Sequence, residues 1–166
     1  MGMILKDSLK KFLVGFPTVS DKYNVAGGVL TGSTAVNFGD LVKLSSTKGY
    51  FEAISSTVTL ADIGGFVVGT NVKLALAYPG TDASVKVLPG EAFNLLVNGF
   101  IAVELDATAV EADIVPNSAV YVILATGKLT TSSQASAGTI VALPNVVFTG
   151  ETETVGTKIR AEIYVK

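Results

Sequence analysis

Apolar and polar residues alternate most clearly in the last nine residues of the chain, KIRAEIYVK. Ile159, Ala161, Ile163 and Val165 fall on one face of an extended strand, and charged or hydroxylated residues fall on the other. Shorter segments of similar composition recur from Val25 onward, with Gly, Asn, Asp or Pro between them. This spacing predicts an all-β fold, a β-barrel or β-sandwich of about ten short strands.

The other predicted strands are rich in β-branched and aromatic residues, as strands generally are. They are Val25–Leu30, Leu41–Leu44, Tyr50–Ile54, Gly65–Val68, Val72–Ala77, Val85–Leu88, Ala92–Val97, Phe100–Leu105, Val120–Leu124 and Val146–Phe148. The segment VYVILA has apolar residues on both faces, which is typical of a central strand covered on both sides.

The apolar stretch that follows the turn Pro89-Gly90 is long enough for a hairpin or for one bent strand. The residues predicted to face the core are all odd-numbered, on both sides of Gly99: Phe93, Leu95, Val97, Ile101, Val103 and Leu105. Because this parity continues across Gly99, one continuous strand with a glycine kink is favoured at least as much as the hairpin.

The N-terminal segment, residues 3–16, has the one plausible helical pattern in the sequence. Leu5, Leu9, Phe12 and Phe16 recur at spacings of three or four, with lysines between them, and Pro17 would end such a helix. An extended arm that packs its aromatic side chains on a neighbour explains the pattern equally well. We therefore expect an N-terminal arm over residues 1–24 and a single β domain over residues 25–166.

Charge and composition narrow the classes of partner. Charged residues make up 16% of the chain, against about 25% in typical soluble proteins, which suggests that part of the surface is always covered. The longest apolar run, Ala119–Ala125, is far shorter than the roughly 20 residues of a spanning helix, and the lysines near the start interrupt any signal peptide. The net charge is −2, and the basic cluster Lys6, Lys10 and Lys11 is small. We expect neither a membrane nor a nucleic-acid partner.

Candidate chemistry is sparse. The sequence has no Cys and no His, which removes thiolate ligands, the usual general base and the commonest metal ligand. A hairpin would bring Glu91 and Glu104 to one end of a sheet as a possible carboxylate pair for glycoside hydrolysis. The acidic loop Glu104–Asp113 could offer oxygen ligands to Ca²⁺, but its spacing matches no EF-hand and favours a solvated loop. We therefore expect no enzyme activity, no cofactor and no metal.

The order of short segments resembles the capsid cement, or head decoration, proteins of tailed bacteriophages. The resemblance runs from residue 26 to the C-terminus through GGVLTG, FGDLVKLSS, TLADIGGFVVGT, VKVLPGEAFNLLVNGFIAVEL, VPNSAVYVILATGKLTTSS, ALPNVVFTGETET and KIRAEIYVK, and FLVGFPT is similar to the arm of some members. It implies a non-enzymatic structural virion protein on the outer surface of the capsid. Its partners would be the major capsid protein, whose neighbouring copies it clamps, and itself, as a homodimer or homotrimer.

The resemblance transfers no site residues, so the candidate capsid or oligomer interface comes from the apolar N-terminal residues Leu5, Leu9, Phe12, Phe16 and Tyr23. The alternative function is a carbohydrate- or surface-binding β module of a virion fibre or adhesin. Such a site usually needs exposed aromatic residues, and folding would have to gather the scattered tyrosines Tyr23, Tyr50, Tyr78 and Tyr164.

Overall fold

The computed structural model describes residues 14–18, 23–69, 86–132 and 139–166, and within these ranges the regular secondary structure consists almost entirely of β-strands. The strands are β1 (Tyr23–Thr31), β2 (Val36–Asn37), β3 (Leu41–Leu44), β4 (Tyr50–Ala53), β5 (Ile63–Val68), β6 (Lys86–Val87), β7 (Ala92–Glu104), β8 (Ala119–Ile123), β9 (Lys128–Thr130), β10 (Ile140–Val155) and β11 (Lys158–Val165). Two single-turn 3-10 helices, Leu60–Asp62 and Glu111–Asp113, interrupt them. The all-β prediction is confirmed.

The strands form two rings that share β7. In the large sheet the order is β1-β4-β3-β5-β7-β11-β10-β8-β9, and β1 also pairs with β7. This extra pairing closes a first ring of β1, β4, β3, β5 and β7. A parallel bridge between Leu105 and Leu129 closes a second ring of β7, β11, β10, β8 and β9. The architecture is therefore barrel-like, and a small separate sheet of β2 and β6 adds Val36 and Val87 to the interior of the first ring.

Two apolar cores fill the rings. The first core lies inside the first ring and contains Leu30, Val36, Phe38, Val42, Phe51, Val67, Val87, Phe93 and Leu95. The second core combines the interior of the second ring with side chains from the wall of the first. On β5, for example, Val67 belongs to the first core, whereas Phe66 and Val68 belong to the second. The two rings are therefore packed directly on one another.

The stretch after Pro89-Gly90 is one continuous strand, β7, as the parity argument favoured. The pairing of β1 with β7 passes from Asn24–Asn98 to Val25–Leu96, so Val97 is the extra residue of a β-bulge. The prediction that Val97 faces the core is wrong: its side chain is 53% exposed.

The bulge at Val97 also shifts the alternation of side chains along β7 by one residue. Before it, the odd-numbered Phe93 and Leu95 point into the first core. After it, the odd-numbered Ile101 and Val103 point into the second core, on the same face as Leu96. Odd-numbered residues therefore face a core on both sides of the exposed Val97, but the extra residue directs the two halves of the strand into different cores.

The prediction missed or shortened strands where turn-forming residues lie inside or beside them. Strand β10 runs far beyond the predicted Val146–Phe148, through Pro144, Asn145 and Gly150, where its pairing with β8 and β11 shifts register. Pro and positive-φ residues are tolerated at such irregularities, and Asn145 has a φ of 61°. Strand β9, which follows the turn at Gly127, was not predicted. The predicted strand Val72–Ala77 lies outside the described residues, and Val85–Leu88 is represented by β6.

The Asp62 side chain caps the N-terminus of the first 3-10 helix. Its carboxylate accepts the backbone N–H of Thr59 at 2.9 Å and the Thr59 hydroxyl at 2.8 Å. These two hydrogen bonds, the backbone bond first, lower the pKa of Asp62 below its ordinary value of 3.8 because they favour the charged form. No helix in the described part of the chain is long and apolar enough to cross a membrane.

Candidate interaction surface

The two glutamates that could have formed a catalytic pair each have a structural contact at opposite ends of β7. Glu91 accepts the backbone N–H of Leu88 at 2.7 Å across the turn in which Gly90 has a φ of 86°. Glu104 accepts a 2.7 Å ion-pair contact from Lys158. The strand between them has a contour of roughly 40 Å, whereas glycosidase carboxyl groups lie within about 10 Å. The carboxylate-pair hypothesis is therefore wrong.

The acidic loop Glu104–Asp113 gathers no set of metal ligands. Among the described residues, no group of three or more Asp and Glu side chains converges on a point where it could hold a metal ion. Part of the loop forms the 3-10 helix Glu111–Asp113, and Asp106 accepts the backbone N–H of Thr108 at 3.0 Å and the hydroxyl of the same residue at 2.8 Å. The contacts described for this loop are structural.

The N-terminal segment is hydrogen-bonded to the β domain along β7. The N–H of Gly15 donates to the carbonyl of Ala102 at 2.7 Å, and the N–H of Ala102 donates to the carbonyl of Phe16 at 3.2 Å. On the other side, Gly69 donates its N–H to the carbonyl of Gly15 at 2.6 Å. Residues 14–16 form a turn and a bend rather than the end of a helix. Residues 3–13 of the predicted helix or arm lie outside the described residues.

Phe16, one of the predicted interface residues, packs on the first core. Its ring meets that of Phe38 edge to face at a centroid distance of 5.7 Å. On its other side it lies against Gly69, where a Cβ would be 2.4 Å from the ring. The half-buried Phe16 therefore fixes the N-terminal segment to the domain. Leu5, Leu9 and Phe12 lie outside the described residues.

Tyr23, the last predicted interface residue, begins the most exposed strand segment. Tyr23, Asn24, Val25, Ala26 and Gly27 are exposed in succession. Strand β7 pairs with one edge of this segment, whereas β4 reaches β1 only at its C-terminal end, from residue 29 to residue 31. In the described part of the chain no strand pairs with the outer edge of residues 23–28.

The directions of neighbouring hydrogen bonds show which backbone groups lie on that outer edge. Leu30 donates its N–H toward the β7 side, to Glu91, whereas Val29 donates in the opposite direction, to Gly49. Because successive residues of a strand alternate in direction, the N–H and C=O groups of Tyr23, Val25 and Gly27 point outward.

Within the described part of the chain, this outer edge carries none of the residues that usually guard an exposed edge. Edge strands are commonly guarded by lysine, proline or an outward bulge. Strand β1 (YNVAGGVLT) has no charged residue and no proline, and the bulge in its pairing lies on β7. Beside the edge lies a shallow groove of about 430 Å³ lined by small residues and one aromatic ring: Gly27, Gly28, Val29, Gly49, Ala92, Phe93 and Asn94.

The described tyrosines do not form a single aromatic platform. Tyr50 pairs with Val29, six residues along β1 from Tyr23, which corresponds to roughly 20 Å. Tyr164 stacks on Phe100 at a centroid distance of 4.6 Å and is half-buried. Tyr78 lies outside the described residues. This arrangement gives no support to the carbohydrate-binding alternative.

These observations define a class of protein: a barrel-like β protein whose N-terminal segment is anchored along β7 and whose strand β1 has, among the described residues, an open outer edge. Residues 6–163 match the model of a family described as structural cement protein (E217 gp24/Pam3 gp6). The match covers nearly the whole chain, and the chain therefore belongs to this family of phage structural cement proteins.

The fold is also found in a phage capsid. A chain in the structure "The capsid of Myoviridae Phage XM1" superposes with a TM-score of 0.67 and 15% identity, over 100% of this chain and 97% of that chain. At this identity the similarity shows the fold alone. No curated protein matches the sequence.

Family membership gives the protein a structural role in the phage capsid, with which it is associated in the virion. The resemblance drawn from the sequence is confirmed.

Proposed function

We propose that the protein lies on the outer surface of the phage head, forms a small homo-oligomer and clamps neighbouring major capsid proteins. The observation that carries this proposal is the family match over residues 6–163, because cement proteins are structural. The low content of charged residues and the unprotected outer edge of β1 support it, since both suit a surface that is covered in the assembled particle.

A clamp gains strength from attachment at several points. When one contact of an oligomer forms, the next forms at a high effective concentration, so that weak contacts give high overall avidity. The assembled lattice holds capsid subunits at fixed separations, which free subunits do not. The protein is therefore expected to bind assembled heads much more tightly than free capsid subunits.

Co-sedimentation tests this expectation. The purified protein is mixed either with assembled heads that lack it or with free major capsid protein, and light scattering gives its own mass in solution. We expect pelleting with heads, little binding to free subunits, and an oligomer in solution. Failure to bind heads would overturn the proposed clamp, and equal binding to heads and free subunits would overturn the avidity argument.

The role of the N-terminal segment in capsid binding is tested by a truncation that stops before the residues anchored to the β domain. Deleting residues 1–13 leaves the hydrogen bonds of Gly15 and the packing of Phe16 in place, whereas deleting residues 1–16 would remove them and confuse anchoring with binding. We expect the 1–13 deletion to keep the β-sheet circular dichroism spectrum and to weaken binding to heads. Unfolding of this variant would mean that the segment belongs to the core, and unchanged binding would remove Leu5, Leu9 and Phe12 from the interface.

A further inference from the structure

We propose that two copies of the protein join by antiparallel pairing of their β1 outer edges about a two-fold axis at Val25. This inference deepens the proposed function, because it gives the homo-oligomer an order of two and identifies the surface that forms it. In the dimer, the two β1 strands would lie side by side and join the β-sheets of the two copies into one.

The backbone on this edge has the symmetry that self-pairing requires. The outward-pointing residues are Tyr23, Val25 and Gly27, with Val25 at the centre. If Val25 pairs with Val25 of the partner subunit, Tyr23 pairs with Gly27 of the partner subunit. By symmetry, Gly27 pairs with Tyr23 of the partner subunit. In an antiparallel ladder each such pair exchanges two backbone hydrogen bonds, so every outward N–H and C=O of the three residues gains a partner.

The side chains are also complementary under this symmetry. Tyr23 is 38% exposed and Val25 is 40% exposed, and no atom lies within 4 Å of the position where a Cβ of Gly27 would be. The two-fold axis sets the exposed Tyr23 ring opposite this open space, and aromatic side chains packed over an opposing glycine stabilise strand pairs.

The absence of charge favours a second copy over another partner. A strand paired with its own copy in this register brings like residues together, so a charge at the centre would repel itself. Strand β1 avoids this because it has no charged residue. A strand-to-strand contact of this length is smaller than the roughly 1,200–2,000 Å² of a stable interface, so we expect a weak dimer in solution that the capsid lattice strengthens.

The lack of cysteine in the chain makes a crosslinking experiment clean. In the proposed pair the two Val25 Cα atoms lie about 5.5 Å apart, within the roughly 4.4–6.8 Å that a disulfide spans. We expect Val25→Cys in the full chain to form a covalent dimer on mild oxidation. The control is Val115→Cys, since Val115 is 51% exposed and follows the 3-10 helix Glu111–Asp113, away from β1. Equal crosslinking of both variants, or none of Val25→Cys, would overturn the inference.

A charge exchange at the same position shows whether Val25 meets its own copy. We expect Val25→Lys and Val25→Glu, each alone, to dimerise several-fold more weakly than the unmodified chain. An equimolar mixture of the two is expected to recover dimers by light scattering. A dimer that persists in Val25→Lys alone, or a mixture that recovers nothing, would overturn the inference.

Head co-sedimentation of the same variants separates this inference from the proposed function. If Val25→Cys fails to crosslink but the unmodified chain still binds heads, the edge pairing is wrong and the clamp stands. If Val25→Cys crosslinks but the unmodified chain binds no heads, the pairing stands and the clamp is wrong. If Val25→Lys loses binding to heads and leaves the oligomeric state unchanged, a segment of the capsid protein occupies the edge, which overturns self-pairing.

Discussion

Gly28 carries the sharpest prediction about packing in the first core. A Cβ at this position would lie 2.6 and 2.7 Å from two ring carbons of Phe51, well inside the ordinary carbon contact distance of about 3.5–4.0 Å. The ring cannot move away freely, because a Cβ at Gly64 would lie 2.7 Å from another of its carbons. Overpacking of this kind costs about 1–3 kcal/mol, so Gly28→Ala is expected to lower the melting temperature by roughly 2–12 °C.

Gly27→Ala is the matched control for this prediction. It changes the next residue of the same strand, where no atom lies within 4 Å of the added carbon. A lower entropy of the unfolded chain is expected to make Gly27→Ala neutral or more stable by about 0.4–1 kcal/mol. Both variants are unfolded in urea and by heat at the same low protein concentration, with circular dichroism as the signal. Equal stability of the two variants would refute the steric argument.

A double variant tests whether the Phe51 ring is the cause. If the cost of Gly28→Ala arises from contact with that ring, it is expected to fall in a Phe51→Leu background, and the difference measures the coupling between the two sites. An unchanged cost in that background would place the strain elsewhere.

Three further predictions concern charge and register. Lys128→Met removes a 2.8 Å ion pair with Asp40 between the rings; because the side chains are 45% and 28% exposed, we expect a loss of about 0.2–1 kcal/mol in urea unfolding, reduced by high salt. Because the pKa of Asp62 is lowered in the folded state, its carboxylate stabilises the fold at pH values above the unfolded pKa of 3.8, and this contribution is lost as the pH falls through the folded pKa. Asp62→Asn is therefore expected to be less stable than the unmodified chain at pH 7, and the difference is expected to vanish at acid pH in unfolding titrations. Val97→Ser is expected to change stability by less than about 0.5 kcal/mol, whereas the adjacent Leu96→Ala costs about 2–5 kcal/mol, and equal losses would contradict the bulge.

The sequence predicted strands well where alternation is regular and poorly where the register shifts. The alternation over Ile159–Val165 corresponds to β11, and β3 has the predicted bounds Leu41–Leu44. The extra residue at Val97 shifts the alternation of β7, so the predicted inward orientation failed at this position. A bulge of this kind depends on the pairing with the neighbouring strand, which the local sequence pattern does not show. The prediction likewise limited β10 to Val146–Phe148, although the strand continues on both sides through Pro144 and Gly150, where its register shifts.

The candidate interface was only partly predictable. The apolar spacing that indicated Phe16 cannot distinguish a ring that faces a partner from one that packs on its own domain, as Phe16 does against Phe38. Strand β1 was recognised from its composition, but composition does not show that β4 covers only one end of it. The uncharged sequence YNVAGGVLT was the available signal, and it becomes informative only when the strand order is known.

The position of β7 in both rings affects how the protein unfolds under mechanical load. The N-terminal half of the strand belongs to the first ring and its C-terminal half to the second, and side chains from the wall of the first ring, such as Phe66 and Leu96, pack in the second core. Loss of one ring exposes the core that the two share, so unfolding is expected to be a single cooperative event with no half-open intermediate. For the proposed capsid clamp, this means that no weaker half of the molecule fails first under load.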